Sequence, residues 1–245
     1  MVDYRKLRIS LILFLASFNS YAFDLHQVTA KSWLVADGNG KVLQGEHTTD
    51  VRAIASISKL MTVMVVLDQH QDLEERIGPY TRQQLIDLAL VKSDNNAART
   101  LCDHYVYGNV GCITAMNEKA RVLGLSNTHF IEPTGLSIMN VSTAEDLIKL
   151  VQEASTYSEI VAAAQMSEIK IQIRKKWFVF HNTNPIIGKK YKFIVSKTGF
   201  INASGGCIVI MLDTDIGRRI IVVLGSKNTH TRIPEADFIA EKYAD

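Results

Sequence analysis

Hydrophobic and polar positions divide the chain into segments of different period. Residues 33–36 are apolar, 37–40 read Asp-Gly-Asn-Gly, and 41–43 return to Lys-Val-Leu, which predicts a β-hairpin over 33–43. From 57 to 70 the apolar residues Leu60, Met61, Val63, Met64, Val65, Val66 and Leu67 cover nearly every side of a helix. A helix apolar all round is a buried one. Residues 81–123 carry a helical pattern in three pieces, with breaks at 92–95 (KSDN) and 107–111 (YGNVG). Residues 132–135 (EPTG) form a turn. Ser142-Thr143-Ala144-Glu145 fits a capping box and opens a helix over 144–153. After 172 the pattern changes to strands at 177–180, 192–198, 207–212 and 219–224. Turns fall at 202–206 and 213–217, and a closing helix at 234–243. This order predicts one α/β domain. The early hairpin and the late strands make a single antiparallel sheet, and the helices of about 73–170 form a separate lobe. Internal repeats and low-complexity linkers are absent from the sequence.

The first residues stand apart from this pattern. Arg5, Lys6 and Arg8 precede an apolar stretch over 9–18, and Ser20-Tyr21-Ala22 offers small residues at the two positions a signal peptidase reads. Residues 1–22 are therefore read as a secretory signal peptide cut after Ala22, leaving a single catalytic domain over 23–245. The apolar run is too short to span a bilayer comfortably. Cleavage removes three basic residues and one acidic one, so the mature chain is close to neutral, which argues against nucleic acid as a partner. The charge is uneven, however. Residues 170–212 hold eight Lys or Arg and no Asp or Glu. Such a stretch is either a sheet edge guarded by lysines or a surface that attracts an anionic substrate, and the two are compatible.

Three cysteines survive cleavage into what export makes an oxidising compartment. Cys102 and Cys112 lie ten apart around a Tyr-Gly-Asn turn, a spacing that allows a bridge, and Cys207 in its apolar run reads as a buried free thiol. The seven His are scattered without metal-ligand spacing, so neither a metal nor another cofactor is expected.

The candidate chemistry lies in three short motifs. Ser56-Ile57-Ser58-Lys59 places a hydroxyl and an amine at i and i+3, on one face of a helix start. A serine needs a base beside it to be a nucleophile, and a lysine serves as that base only when burial or a neighbouring positive charge lowers its pKa. The same spacing recurs at Ser167-Glu168-Ile169-Lys170, where a polar, strand-like segment follows, and that match is read as accidental. Position at the tip of a buried helix separates the first match from the second. Ser93-Asp94-Asn95 is by itself no more than a helix break, because these residues favour caps. Lys197-Thr198-Gly199 ends a strand, where the glycine permits close backbone approach and the lysine supplies charge.

Together and in this order the three motifs are those of active-site serine penicillin-binding proteins and class A β-lactamases. The chain resembles the low-molecular-mass penicillin-binding proteins, and among them the D-alanyl-D-alanine endopeptidases, from about Trp33 to Leu224. Its densest matches are IASISKLMT over 54–62, SDNNA over 93–97, AMNEKA over 115–120, FIEPTGLS over 130–137, NVST over 140–143, HNTN over 181–184 and KTGF over 197–200. The resemblance implies a β-lactamase/transpeptidase-like fold with the active site between sheet and helical lobe. It implies that Ser56 attacks a D-alanyl peptide bond and forms an acyl-enzyme, with Lys59 as proton acceptor. Ser93 relays a proton to the leaving amine, and Asn95 lines the cleft. Lys197 and Thr198 hold the substrate carboxylate, Lys197 depresses the pKa of Lys59, and Gly199-Phe200 follows with the Phe200 amide completing an oxyanion hole begun by that of Ser56. Peptidoglycan stem peptides are the implied substrates, β-lactams the implied covalent inhibitors, and the periplasm the implied location, with no membrane anchor.

Two features depart from the family. Ser93 follows Ser56 by only 37 positions, with 74–80 as the connection where the family has a longer excursion, so one cleft wall is expected to be reshaped. The chain also ends soon after the catalytic segment, without the second domain and amphipathic tail of the related carboxypeptidases, which suggests a freely soluble enzyme. Three other readings compete. A DD-carboxypeptidase would release a terminal D-alanine instead. A class A β-lactamase would use Glu132, 39 residues after Ser93, but the position that should be Asn is Leu136. An idle wall-binding homologue would not need the full Ser/Lys set.

Overall fold

The computed structural model describes residues 28–243. The proposed signal peptide lies outside them. In chain order the elements are β1 (Ser32–Asp37), β2 (Val42–Glu46), β3 (Arg52–Ala53), a 3-10 turn (Ala55–Ile57) and α1 (Ser58–Leu67). Then come β4 (Arg76–Ile77), β5 (Tyr80–Thr81), α2 (Arg82–Asp87) continued by a π-helical turn (Leu88–Lys92), α3 (Asn95–Asp103) and α4 (Gly108–Val122). β6 (Val141–Ser142), α5 (Ala144–Ala154), α6 (Ser158–Ala163), β7 (Glu168–Ile173) and β8 (Lys176–His181) lead to β9 (Lys192–Ile201), β10 (Gly205–Asp213), β11 (Arg219–Ser226) and α7 (Arg232–Tyr243).

The main sheet is antiparallel with order β2-β1-β11-β10-β9, so the early hairpin joins the late strands as the sequence predicts. Its central strands are apolar along their whole length because both faces are covered. Side chains alternate across a strand, and here the alternation feeds two cores. Leu34, Ala36, Val209, Met211, Val222 and Leu224 pack with the helices α1 and α5. Trp33, Val35, Ile208, Ile210, Leu212, Ile221 and Val223 pack against Ile233, Ala236 and Ile239 of α7. On the helical side α1 is buried from Ser58 to Val66, Lys59 included.

The strand at 177–180 departs from expectation. It is β8, and it pairs with β7 in a separate two-stranded hairpin instead of joining the main sheet. β7 is an addition to the expected strands: Glu168, Lys170 and Gln172 alternate with Ile169, Ile171 and Ile173 as in a strand buried on one side. The cap of α5 is shifted by one residue. Thr143, not Ser142, accepts from the Asp146 amide, and Glu145 instead receives a hydrogen bond from Thr48 Oγ1 at 2.6 Å. α4 begins at Gly108, inside the expected break, and α7 begins two residues before Pro234, the first-turn position where proline is tolerated. The short α6 has no counterpart in the sequence reading.

Cys102 in α3 and Cys112 in α4 form a disulfide with Cα atoms 5.3 Å apart, and Cys207 is a buried free thiol. The bridge ties α4 to the helix that starts at Asn95. Among the described residues, no helix is long and apolar enough to cross a membrane. Closing a loop of this length removes chain entropy from the unfolded state worth about 3 kcal/mol. Replacing both Cys102 and Cys112 by Ala should therefore lower the unfolding free energy by about that amount, read as a lower urea midpoint, with a steeper slope because the unfolded chain is no longer cross-linked.

Candidate active site

The tip of α1 is set by a strained turn. Ala55, directly before Ser56, has φ +47°, a region non-glycine residues rarely enter. Ser58 Oγ donates to the Ala55 carbonyl at 2.9 Å, which holds the turn. β9 lies against it. A Cβ on Gly199 would fall 2.9 Å from the Ser56 amide nitrogen and 3.0 Å from the Ile54 oxygen. The close approach expected of Gly199 is therefore to the chain's own serine turn, and any other residue would push β9 away.

Lys59 occupies the next position inward and is fully buried. Its Nζ lies 2.8 Å from Ser56 Oγ, 2.7 Å from Asn95 Oδ1 and 2.6 Å from the Thr134 carbonyl oxygen. Burial lowers its pKa to about 8, against opposing contributions from Glu132 and Asp94. A neutral amine has two N–H groups and one lone pair. Asn95 and Thr134 are acceptors for the two N–H groups, which leaves the lone pair facing Ser56. At pH 7 a lysine of pKa 8 is neutral in roughly one molecule in ten, about 300 times more often than an ordinary lysine. Burial is the first cause for both amines, and the charges of Lys59 and Arg232 add to it at Lys197, whose pKa is pushed well down.

The Thr134 carbonyl is aimed by a loop built for that purpose. Glu132 accepts from the amides of Thr134 at 2.7 Å and Gly135 at 2.6 Å, and from Thr134 Oγ1 at 2.5 Å. Asn140 holds the same loop from the other side, donating to Ser58 Oγ and the Glu132 carbonyl and accepting from the Ile131 amide. Thr62 Oγ1 donates to the Pro133 carbonyl at 2.7 Å. Ser58, Lys59 and Thr62 thus stitch the loop to α1. Gly135 has φ +81°, and a Cβ there would sit 1.9 Å from the Ala55 oxygen.

The Ser-Asp-Asn segment is both a helix break and a cleft wall. The π-helical turn ends at Ser93 in the left-handed region (φ +60°), and Asp94 caps α3 by accepting from the Ala97 amide at 2.9 Å. π turns of this kind are frequent at functional sites. With Asp94 occupied by capping, Ser93 and Asn95 both line the cleft. Lys197 Nζ donates to Ser93 Oγ at 2.7 Å and to the Thr198 carbonyl at 3.0 Å, and Thr198 Oγ1 bonds Thr183 Oγ1 at 2.6 Å. Ser56, Ser93, Asn95, Thr198, Gly199 and Phe200 open onto one cavity of 230 Å³.

Arg232 also lines this cavity and was missed in the sequence. Its Nη1 donates to the Gly199 carbonyl at 2.8 Å, while its buried Nε has no hydrogen-bond partner. One arginine in the first turn of a terminal helix carries no local signal that it reaches β9. The second Ser-x-x-Lys match is no such site. Lys170 pairs with Glu168 at 3.2 Å on an exposed strand face. Among the described residues, no cluster of His, Cys, Asp or Glu could hold a metal ion.

Chemically, the cavity presents a hydroxyl beside a low-pKa amine, a second amine joined to a second hydroxyl, and a half-free guanidinium. Comparison with known proteins agrees with such chemistry. The model of the D-alanyl-D-alanine carboxypeptidase family matches residues 19–78 and 73–228. The two stretches meet at 73–78, where the connection from α1 is reduced to the β4–β5 hairpin. D-alanyl-D-alanine endopeptidases of Escherichia coli strain K12 and of Pseudomonas aeruginosa are each 36% identical over 234 residues, covering 86% of this chain and 76% of theirs. The crystal structure of penicillin-binding protein D2 from Listeria monocytogenes, in its ampicillin-bound form, superposes with a TM-score of 0.78 at 26% identity, over 88% of this chain and 97% of that one. With a family model running across the serine turn, the Ser-Asp-Asn wall and β9, and relatives above a third identical, the chain belongs to the D-alanyl-D-alanine carboxypeptidase family of serine peptidases, among the low-molecular-mass penicillin-binding proteins.

Proposed function

We propose that this protein is a peptidoglycan DD-endopeptidase that cuts D-alanyl cross-links through an acyl-enzyme on Ser56, and that penicillin acylates the same serine. One observation carries the proposal: the buried Lys59 amine, 2.8 Å from Ser56 Oγ with acceptors for both of its other hydrogens. In this reading Ser56 Oγ attacks the D-alanyl carbonyl carbon and its proton passes to Lys59. The oxyanion takes hydrogen bonds from the Ser56 and Phe200 amides. The C–N bond breaks as the proton held by Lys59 passes to the leaving amine through Ser93, which bonds Lys197, and Lys59 is neutral again. Water then attacks the ester carbonyl, Lys59 takes its proton, and that proton returns to Ser56 Oγ as the ester C–O bond breaks. Asn95 orients Lys59, and Lys197, Thr198 and Arg232 receive the substrate carboxylate, with Gly199 keeping β9 against the serine turn.

The endopeptidase preference rests on relatives. Those at 36% identity bear that name, whereas the carboxypeptidases of Mycobacterium tuberculosis and Bacillus subtilis are 27% and 26% identical. The matched family's own description keeps DD-carboxypeptidase as the second reading. A β-lactamase role for Glu132 is disfavoured because both of its carboxylate oxygens are engaged by its own loop. The leader-like pattern over 1–22, basic residues before an apolar run and small residues at 20 and 22, supports a periplasmic location.

Incubation with cross-linked muropeptide dimers should yield monomers, and Ser56→Ala should abolish both this cleavage and penicillin labelling. Release of terminal D-alanine alone would favour the second reading. Gly135→Ala should displace the Thr134 carbonyl from Lys59 and slow Ser56 acylation by about 100-fold, the order expected of an ångström-scale misplacement.

A further inference from the structure

The β7–β8 hairpin projects an unusual surface. Its inner face is ordinary, with Ile169 and Ile171 buried and Phe180 packed against the main core. Its outer face and tip are not. Trp177 is 66% exposed and Val179 46%, whereas the chain's other tryptophan, Trp33, is 1% exposed. Arg174 and Lys175 form the turn with φ +46° and +67°, positions that hairpins usually give to Asn or Gly.

The acid-free stretch of the sequence is partly neutralised from elsewhere in the fold. Lys170 pairs with Glu168, Lys190 with Asp237 and Glu241, and Lys192 with Asp213. Arg174, Lys175 and Lys176 have no acidic partner among the described residues. Three unpaired cations and an exposed indole therefore sit side by side on one projecting ribbon.

The ribbon is also continuous with the cleft. β8 ends at His181, and Thr183, two residues on, lines the cavity beside Thr198. From Thr183 back to Trp177 an extended chain reaches about 20 Å. A ligand lying from the cleft to the tip is thus a polymer, not a dipeptide. It must carry anionic groups for the tip and a face that stacks on indole.

We propose that the β7–β8 hairpin is an exosite for polymeric peptidoglycan, with Trp177 against the glycan strand and Arg174, Lys175 and Lys176 against carboxylates of neighbouring stem peptides. The inference rests on the proposed peptidoglycan activity and deepens it. The exosite holds the polymer while the cleft works on one cross-link, raising the local concentration of bonds without touching the reacting atoms.

The test compares the wild-type chain with an Arg174→Glu/Lys175→Glu/Lys176→Glu variant and with Trp177→Ala. Penicillin acylation and cleavage of soluble cross-linked dimers should stay within about twofold, and digestion of intact sacculi should fall about tenfold or more. In a Ser56→Ala background, co-sedimentation with sacculi should weaken on charge reversal and with added salt. Sacculus digestion unchanged, or all three activities falling together, would overturn the exosite. So would loss of binding to phosphatidylglycerol vesicles with sacculus binding intact, which would assign the patch to a membrane surface. A wild-type chain that takes up no penicillin and cuts no dimer would instead remove the reading of the cleft itself.

Discussion

The structure turns on keeping one lysine amine out of water. Lys59 is fully buried, and burial lowers its pKa from 10.5 to about 8. A shift of that size disfavours the charged form by about 3 kcal/mol. The sign follows from linkage. With the folded pKa below the unfolded one, the fold carries this cost in full below about pH 8 and is progressively relieved of it up to about 10.5. The rest of the chain supplies stability that tolerates such a group, above all through a sheet covered on both faces.

Much of the surrounding architecture serves to hold the three partners of that amine, Ser56 Oγ and the acceptors Asn95 Oδ1 and Thr134 O. The serine turn is strained at Ala55, the π turn delivers Ser93 in a left-handed conformation, and the 132–135 loop is caged by the carboxylate of its own Glu132. Two glycines permit the contacts. Gly199 lets β9 rest on the Ser56 amide, and Gly135 lets the loop rest on the Ala55 carbonyl. Local strain of this kind persists only where packing over-determines it, and here the packing comes from both the sheet and the helical side.

Periodicity was legible where burial is uniform or one-sided. The all-round apolar run of α1 and the continuous apolar strands β10 and β11 read directly as buried elements. Pairing partners were harder. β7 alternates polar with apolar residues as a one-sided strand does, but no local feature names β8 as its partner, and β8 pairs with it outside the main sheet. The Thr143 cap illustrates a limit of motif reading, because two adjacent hydroxyls each satisfy a plausible box, while Glu145 is held by Thr48 and Asp146 by Asn127 and Thr128 from outside the helix. In the cavity, the residues within motifs were visible and Arg232 was not. A cation that reaches a site from a distant helix has no spacing to announce it. The disulfide was legible only as an allowed pairing, since ten residues of separation set a distance limit and not a geometry.

The most direct test of this account is the pH dependence of Ser56 acylation, followed as the second-order rate with a fluorescent penicillin. If the buried Lys59 amine is the proton acceptor, the rate rises with pH through an apparent pKa of about 8 and levels off above it. A rate that is flat from pH 6 to 9, or that climbs only near the ordinary lysine value of 10.5, would contradict it.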